Sequence, residues 1–225
     1  MTQALQDPLL RELGVTHGFG LRDATAPAGS LRPRQVHGTT VHHAGGDAAA
    51  CAEVAADAIA SREPGRTVGI VTADCVPLLL AEEGGGWVAA VHAGWRGLTA
   101  GIAATTVAWL AERGVLPGRL RAAIGPHVGP CCYEVDAPVL AAVEARFGPS
   151  GLAEAARAGR SGHAWLDLGA LLTRDLVAAG LPPEGIGAAA AACTACDSER
   201  FHSYRRDGPR SGRLHHWVTV RNDRP

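Results

Sequence analysis

The sequence contains no lysine, and all 21 of its basic residues are arginine. Any cationic chemistry therefore falls to guanidinium groups, whose planar fork matches phosphate and carboxylate. An excess of one charge is also missing. Against 22 acidic residues the formal net charge is -1, so the chain lacks the electrostatic footprint of a nucleic-acid or membrane-surface binder. No apolar run approaches the length of a bilayer span. The opening "MTQALQDPLLRELG" has no basic stretch followed by an apolar core, so a secretory leader is not expected. Methionine occurs once, at position 1, which leaves no interior thioether to serve as a metal ligand.

What is present suits one globular domain. Apolar residues make up 47% of 225 residues, enough for a core of its own. Six cysteines without a leader point to a cytoplasmic, reducing setting. There, thiols are buried, metal-bound or catalytic rather than disulfide-paired.

The periodicities alternate between strand and helix. Strands are expected in "RQVHGTTVHH", "RLRAAIGP", "IGAAAAAC" and "RLHHWVTVR". "RTVGIVTADCVPLLLAEEGGGWVAAVHAGW" reads as strand, turn, strand, glycine turn, strand. "LTAGIAATTVAWLAERG" has helical spacing and ends at Gly114. "DAPVLAAVEARFG" carries Asp136 as N-cap, Pro138 in the first turn and Gly148 beyond the end. "DLGALLTRDLVAAG" repeats that pattern between Asp167 and Gly180. "AAACAEVAADAIASRE" is an Ala-rich helix or irregular coil. The expected fold class is α/β (α+β): one domain with a mixed sheet, or two sheets, flanked by helices.

Three chemistry-bearing side chains fall at the ends of predicted strands. They are His37 in "QVHG", Cys75 in "ADC" and His92 in "VHAGW". Two imidazoles and a thiolate are good zinc ligands, and three protein ligands leave a fourth tetrahedral position open. The same residues also allow a Cys–His nucleophile pair, with Cys75 as thiolate and His92 or His37 as base. Asp74 is a proton shuttle, an orienting group or a turn acid. "CTACDSERFHSYRRDGPRSGR" contains Cys193 and Cys196 in a CxxC without a second such pair, which reads as structural, semi-buried thiols rather than a zinc ribbon or a redox motif. Adjacent Cys131 and Cys132, inside the tight Gly-Pro loop "IGPHVGPCCYEV", imply no redox work. Arg205, Arg206 and Arg213 could clamp phosphate or simply form a solvated loop.

Five ordered blocks, "RQVHGTTV", "TADCVPLLL", "AVHAGWRGL", "AIGPHVGPCCYEV" and "CTACDSERFHSYRRDGPRSGR", resemble the laccase-domain family. This is the polyphenol-oxidase-type, YfiH-like purine nucleoside phosphorylase family. The resemblance runs from about Arg34 to Arg213. It implies a single laccase-domain-like unit over residues 1–225, related in architecture to cysteine hydrolase-like toxins, with a shortened N-terminal region between "HGF" and "QVHG". The resemblance further implies zinc on His37, Cys75 and His92. It implies phosphorolysis of adenosine, inosine, guanosine and methylthioadenosine, and hydrolytic deamination of adenosine.

On that footing His37, Cys75, His92 and Asp74 are the catalytic candidates. Arg96, Arg206 and Trp95 are the candidates for holding phosphate and purine. The expected partners are purine nucleosides and phosphate, not nucleic acid or membrane, for a monomer or small homo-oligomer. Three competing classes are a copper-dependent polyphenol oxidase, a metal-free cysteine hydrolase and a non-catalytic nucleoside-binding relative. Copper is the less favoured metal, because the one methionine leaves no axial thioether of the blue-copper kind.

Overall fold

A computed structural model of the chain describes residues 4–222. The run Leu78–Leu79–Leu80 explains the architecture. All three side chains are fully buried although successive strand residues face opposite ways. Leu78 and Leu80 pack with Leu98, Ile102, Leu110 and Leu172 from helices on one side. Leu79 meets Phe19, Val68, Ile70 and Val218 from a second sheet on the other. A strand covered on both faces reads as a continuous apolar run rather than an alternating one. Each such leucine contributes about 1.5–3 kcal/mol.

The central sheet has six strands in the order Ile186–Gly187, Leu120–Ile124, Val76–Glu82, Val88–Ala93, Ala58–Ser61 and Val41–His43. Its middle pairings are antiparallel and its two edge pairings parallel. The second sheet is antiparallel, in the order Ala4–Leu5, His17–Gly20, Leu214–Thr219 and Thr67–Thr72. A small sheet of Ala156–Ala158, His163–Leu166 and Glu134–Asp136 lies apart from both. Helices Ile102–Ala111, Ala137–Ala155 and Leu168–Ala178 cover the outer face of the central sheet. The mixed α+β class expected from the sequence is the one observed, with three sheets. Among the described residues no helix is long and apolar enough to cross a membrane.

Local signals account for the helix ends. Asp167 accepts from the Ala170 N–H at 2.9 Å as an N-cap. Gly148, with φ of 73°, breaks Ala137–Ala155 into two helical stretches where the sequence marks the end of one.

Four expectations need correction. The helix expected from Leu98 is two, Trp95–Thr99 and Ile102–Ala111, because Gly101 takes a φ of 90° between them. Only Val41–His43 of "RQVHGTTVHH" is a strand, so His37 lies in a loop. The Ala-rich segment splits into helix Ala48–Glu53 and strand Ala58–Ser61. Only Ile186–Gly187 of "IGAAAAAC" forms a strand, at the sheet edge, and Cys193 at its end makes an isolated bridge to His127.

Candidate metal centre and its cavity

Strand register brings two of the three candidate ligands together. Val76 pairs with Ala93 and Pro77 with His92 across the antiparallel pair. Cys75, one residue before its strand, is thereby set opposite Gly94, one residue beyond the other. A Cβ on Gly94 would stand 2.8 Å from the Cys75 sulfur and 3.1 Å from the His37 ring, so a glycine is required there.

The third ligand comes from a loop fixed by two side chains. Gln35 pairs with the Val71 backbone like an extra strand residue, donating to its carbonyl and accepting from its N–H, both at 2.8 Å. Asp57, fully buried, accepts from the N–H groups of Val36 at 3.2 Å, His37 at 2.9 Å and Gly38 at 2.6 Å. His37 itself takes a φ of 61°, which turns its ring toward His92. The two imidazole centroids lie 4.8 Å apart at 72°. The ligand atoms of His37, Cys75 and His92 all fall within 4.8 Å of one another.

The same Asp57 bonds His92 Nδ1 at 2.8 Å, which leaves Nε2 for the shared centre. Burial works against charge on Asp57. Donation from His92, Gly38 and His37 outweighs it and holds the carboxyl below its ordinary range. Burial likewise opposes charge on His92, but Asp57 and Cys75 lift it to about 9. Burial opposes the Cys75 thiolate, yet His37 and His92 draw its pKa down to about 7. The unit is therefore a thiol of lowered pKa beside an imidazole of raised pKa, backed by a buried carboxylate. The carboxylate that orients His92 is Asp57, which no pattern in "VAADAIAS" singles out.

Asp74 has a different position. It takes a φ of 86°, and its two carboxylate oxygens accept from Thr194 Oγ1 and the Arg205 N–H, each at 2.5 Å. Its carbonyl accepts from Val128 N at 3.0 Å. It joins the Cys75 turn to two distant segments.

A cavity of about 560 Å³ opens over the three ligands. Asp74, Trp95, Tyr133 and Tyr204 wall it, together with the guanidinium-bearing Arg96, Arg205 and Arg213. Among the described residues none of these three arginines pairs with a carboxylate. Arg96 lies 4.3 Å from the Trp95 ring centroid, so one face of that indole carries a cation. Arg206 does not line the cavity. Its guanidinium is committed to Asp207 and to the carbonyls of Thr194, Ala195 and Phe201. Its neighbour Arg205 points into the cavity instead, beside the Tyr133 ring.

Outside this centre Cys51 is buried, and four other cysteines lie near the surface. Cys131 and Cys196 are exposed, and Cys132 and Cys193 are half-buried. The two pairs meet, with sulfurs all within 4.8 Å of one another.

Packed sheets carrying a His37–Cys75–His92 cluster that could hold a metal ion place the chain in a laccase-like class. The chain belongs to the family described as multi-copper polyphenol oxidoreductase laccase, which matches residues 21–221. It is 42% identical over 184 residues to a protein of Xylella fastidiosa strain 9a5c named purine nucleoside phosphorylase, covering 80% of this chain and 68% of that one. It is 39% identical over 158 residues to one named adenosine deaminase RL5, from an unknown prokaryotic organism, covering 70% and 59%. The fold superposes on YlmD from Geobacillus stearothermophilus with a TM-score of 0.84 at 26% identity, covering 98% of this chain and 100% of that one.

Proposed function

We propose that this chain is a zinc-dependent purine nucleoside enzyme of the cytoplasm, with inorganic phosphate as co-substrate for phosphorolysis and water for deamination of adenosine. The chain acts as one domain with a shortened segment before Gln35. The observation that carries the reading is the convergence of His37, Cys75 and His92 beneath a cavity lined by three arginines free of carboxylate partners. The donor set fits zinc: two imidazoles, one thiolate and an open side toward the cavity. An ion held by His37, Cys75 and His92 would supply Lewis-acid polarisation at the cavity floor. The one methionine lies outside the described residues, and copper of the blue type has no thioether partner.

The chain's own residues divide the remaining work. Asp57 holds His92 in the tautomer that presents Nε2 to the ion. Arg96, Arg205 and Arg213 hold phosphate by charge-assisted forks, set for attack at C1′ as the bond to N9 breaks. Tyr133 and Trp95 offer faces to the purine and ribose. Asp74 acts as the clamp that keeps Arg205 at the rim, not as a free proton shuttle. The names of the Xylella and RL5 relatives, purine nucleoside phosphorylase and adenosine deaminase, support the two reaction classes; methylthioadenosine, inosine and guanosine complete the proposed range of phosphorolysis substrates.

One observation favours a second reading. Cys75, His92 and Asp57 form a hydrogen-bonded thiol–imidazole–carboxylate series, the arrangement of a metal-free cysteine nucleophile. Metal analysis and nucleoside turnover on wild type and Cys75→Ala decide between them. Zinc-dependent phosphorolysis lost with the metal in Cys75→Ala supports the first reading. Activity that survives chelation but not Cys75 alkylation supports the second. Cys75→Ala with full zinc and full turnover sinks both, and wild type that turns over no nucleoside while holding zinc marks a binding protein.

A further inference from the structure

Cys131, Cys132, Cys193 and Cys196 bring four free thiols to one spot on the surface, away from the His37–Cys75–His92 centre. Two loops supply them. One follows strand Leu120–Ile124 and the other follows strand Ile186–Gly187. The loops are aligned by an isolated parallel bridge, in which His127 N–H donates to the Ala192 carbonyl and Thr194 N–H to the His127 carbonyl, both at 3.0 Å. The Cys196 sulfur lies 3.5 Å from that of Cys131 and 3.4 Å from that of Cys132. All four sulfurs are within 4.8 Å of one another. A zinc ion with Zn–S bonds of about 2.3 Å sets its four sulfurs about 3.8 Å apart in a tetrahedron. The spacing fits one ion.

The surroundings of Cys193 suit a thiolate. Cys193 Sγ accepts from the backbone N–H of Gly129, at 3.2 Å, and of Cys196. Such donors stabilise sulfur that has lost its proton. Gly129 packs so closely that an added Cβ would stand 3.2 Å from Cys193 Cβ and 3.4 Å from Cys131 Sγ. Four thiolates around a dication leave two net negative charges, and a guanidinium flanks each ligand loop. Arg157 donates to the Pro130 carbonyl at 3.0 Å, next to Cys131. Arg206 donates to the carbonyls of Thr194 and Ala195, between Cys193 and Cys196. Cys131 and Cys193 also border a separate open cavity of about 440 Å³, which gives an ion a route in.

The geometry points to a second, structural zinc site formed by Cys131, Cys132, Cys193 and Cys196. Binding replaces four S–H bonds with four Zn–S bonds, and the four protons leave to solvent. No electron moves, and no other reactant is required. The ion ties together two loops that both reach the first cavity: Tyr133 follows Cys132 and lines it, and Thr194 follows Cys193 and bonds Asp74.

The test uses the full chain expressed with zinc and dialysed extensively. Cys75→Ala removes the first centre and isolates the second. It is expected to retain about one zinc per chain, and the added pair Cys193→Ser/Cys196→Ser to retain none. Because serine variants can misfold, two measurements use the Cys75→Ala chain with its other cysteines intact. Exposed Cys131 and Cys196 are expected to resist alkylation until a chelator is added. Cobalt(II) added after zinc removal is expected to give the strong sulfur-to-cobalt absorption of a four-thiolate tetrahedron. Cys75→Ala that holds no zinc, with Cys131 and Cys196 alkylated at once, overturns the site. So does iron with inorganic sulfide, or copper, in place of zinc, or a disulfide among the four in freshly isolated protein.

Discussion

The two sulfur-containing centres of this protein are built in opposite ways. His37, Cys75 and His92 are placed by strand register and by one buried carboxylate, Asp57. Their geometry exists before any ion binds. The four cysteines of the second cluster sit on loops joined by few backbone hydrogen bonds, and two of the four are exposed. The first cluster is held by paired strands and a buried carboxylate, whereas the second rests on loops that an ion would tie together. Open coordination belongs with the first and saturated coordination with the second. Removing an ion from the first is therefore expected to abolish the proposed activity with little change in stability, and removing one from the second to loosen the wall of the first.

Acid separates the rigid region from the looser one most strongly. His216, 1% exposed on strand Leu214–Thr219, lies 2.9 Å by Nε2 from Thr72 Oγ1, and its Nδ1 has no partner among the described residues. Burial, with smaller contributions from His215 and His92, pushes its pKa down to about 3. Between that value and about 6.5 the unfolded chain binds a proton that the folded chain refuses. Stability is therefore full above about pH 6.5 and falls as the pH drops toward 3, by about 1.4 kcal/mol per unit for this residue alone. Burial shifts His17 and His127 in the same direction, so the whole-protein slope is steeper. Urea unfolding from pH 7 to 4 measures it. His216→Asn is expected to flatten the slope by one residue's share. Cys193→Ser is expected to leave that share in place, because His216 belongs to the strand framework. An unchanged slope in His216→Asn would break the assignment.

The next largest effect concerns Asp57, the group that makes the first centre independent of its ion. Asp57→Asn keeps the size but removes the charge that gathers three N–H groups and the His92 ring. Metal affinity is expected to fall about 10–100-fold, as for other groups that orient a ligand imidazole. In the metal-free protein, NMR titration is expected to show His92 moving down from about 9 toward its ordinary value. A merely structural Asp57 would cost stability and leave that titration where it was.

Much of the first centre was legible in the sequence, and little of the second. The candidate ligands His37, Cys75 and His92 stand inside blocks that keep their order along the chain. The triple glycine marks the turn that pairs two of their strands. Asp57 was hidden because it precedes a four-residue strand, Ala58–Ser61, half of it alanine with weak β preference, which leaves no clear pattern to reveal it. The four-cysteine cluster was hidden because Cys132 and Cys196 are 64 residues apart, and only the bridge at His127 and Cys193 aligns their loops. In "FHSYRRD" the sequence offered two adjacent arginines and nothing to say which faced inward. In a helix as short as Tyr204–Asp207 one residue of rotation decides it.

That adjacent pair gives the finest test of the contrast, since Arg205 faces the first centre and Arg206 braces a loop of the second. Arg205 lines the cavity while its backbone N–H is held by Asp74. Arg205→Ala is expected to raise the KM for phosphate about tenfold, the loss of about 1.4 kcal/mol of charge-assisted binding, with stability unchanged. Arg206→Ala is expected to do the reverse. It strips donors from the carbonyls of Thr194, Ala195 and Phe201. Its partial exposure keeps the cost to about 1–2 kcal/mol of stability, with the KM for phosphate near that of wild type. Steady-state kinetics at varied phosphate and denaturant unfolding on the two variants measure both quantities. An Arg206→Ala protein that folds normally but loses phosphate affinity would return that role to Arg206 and erase the division between the two regions at this helix.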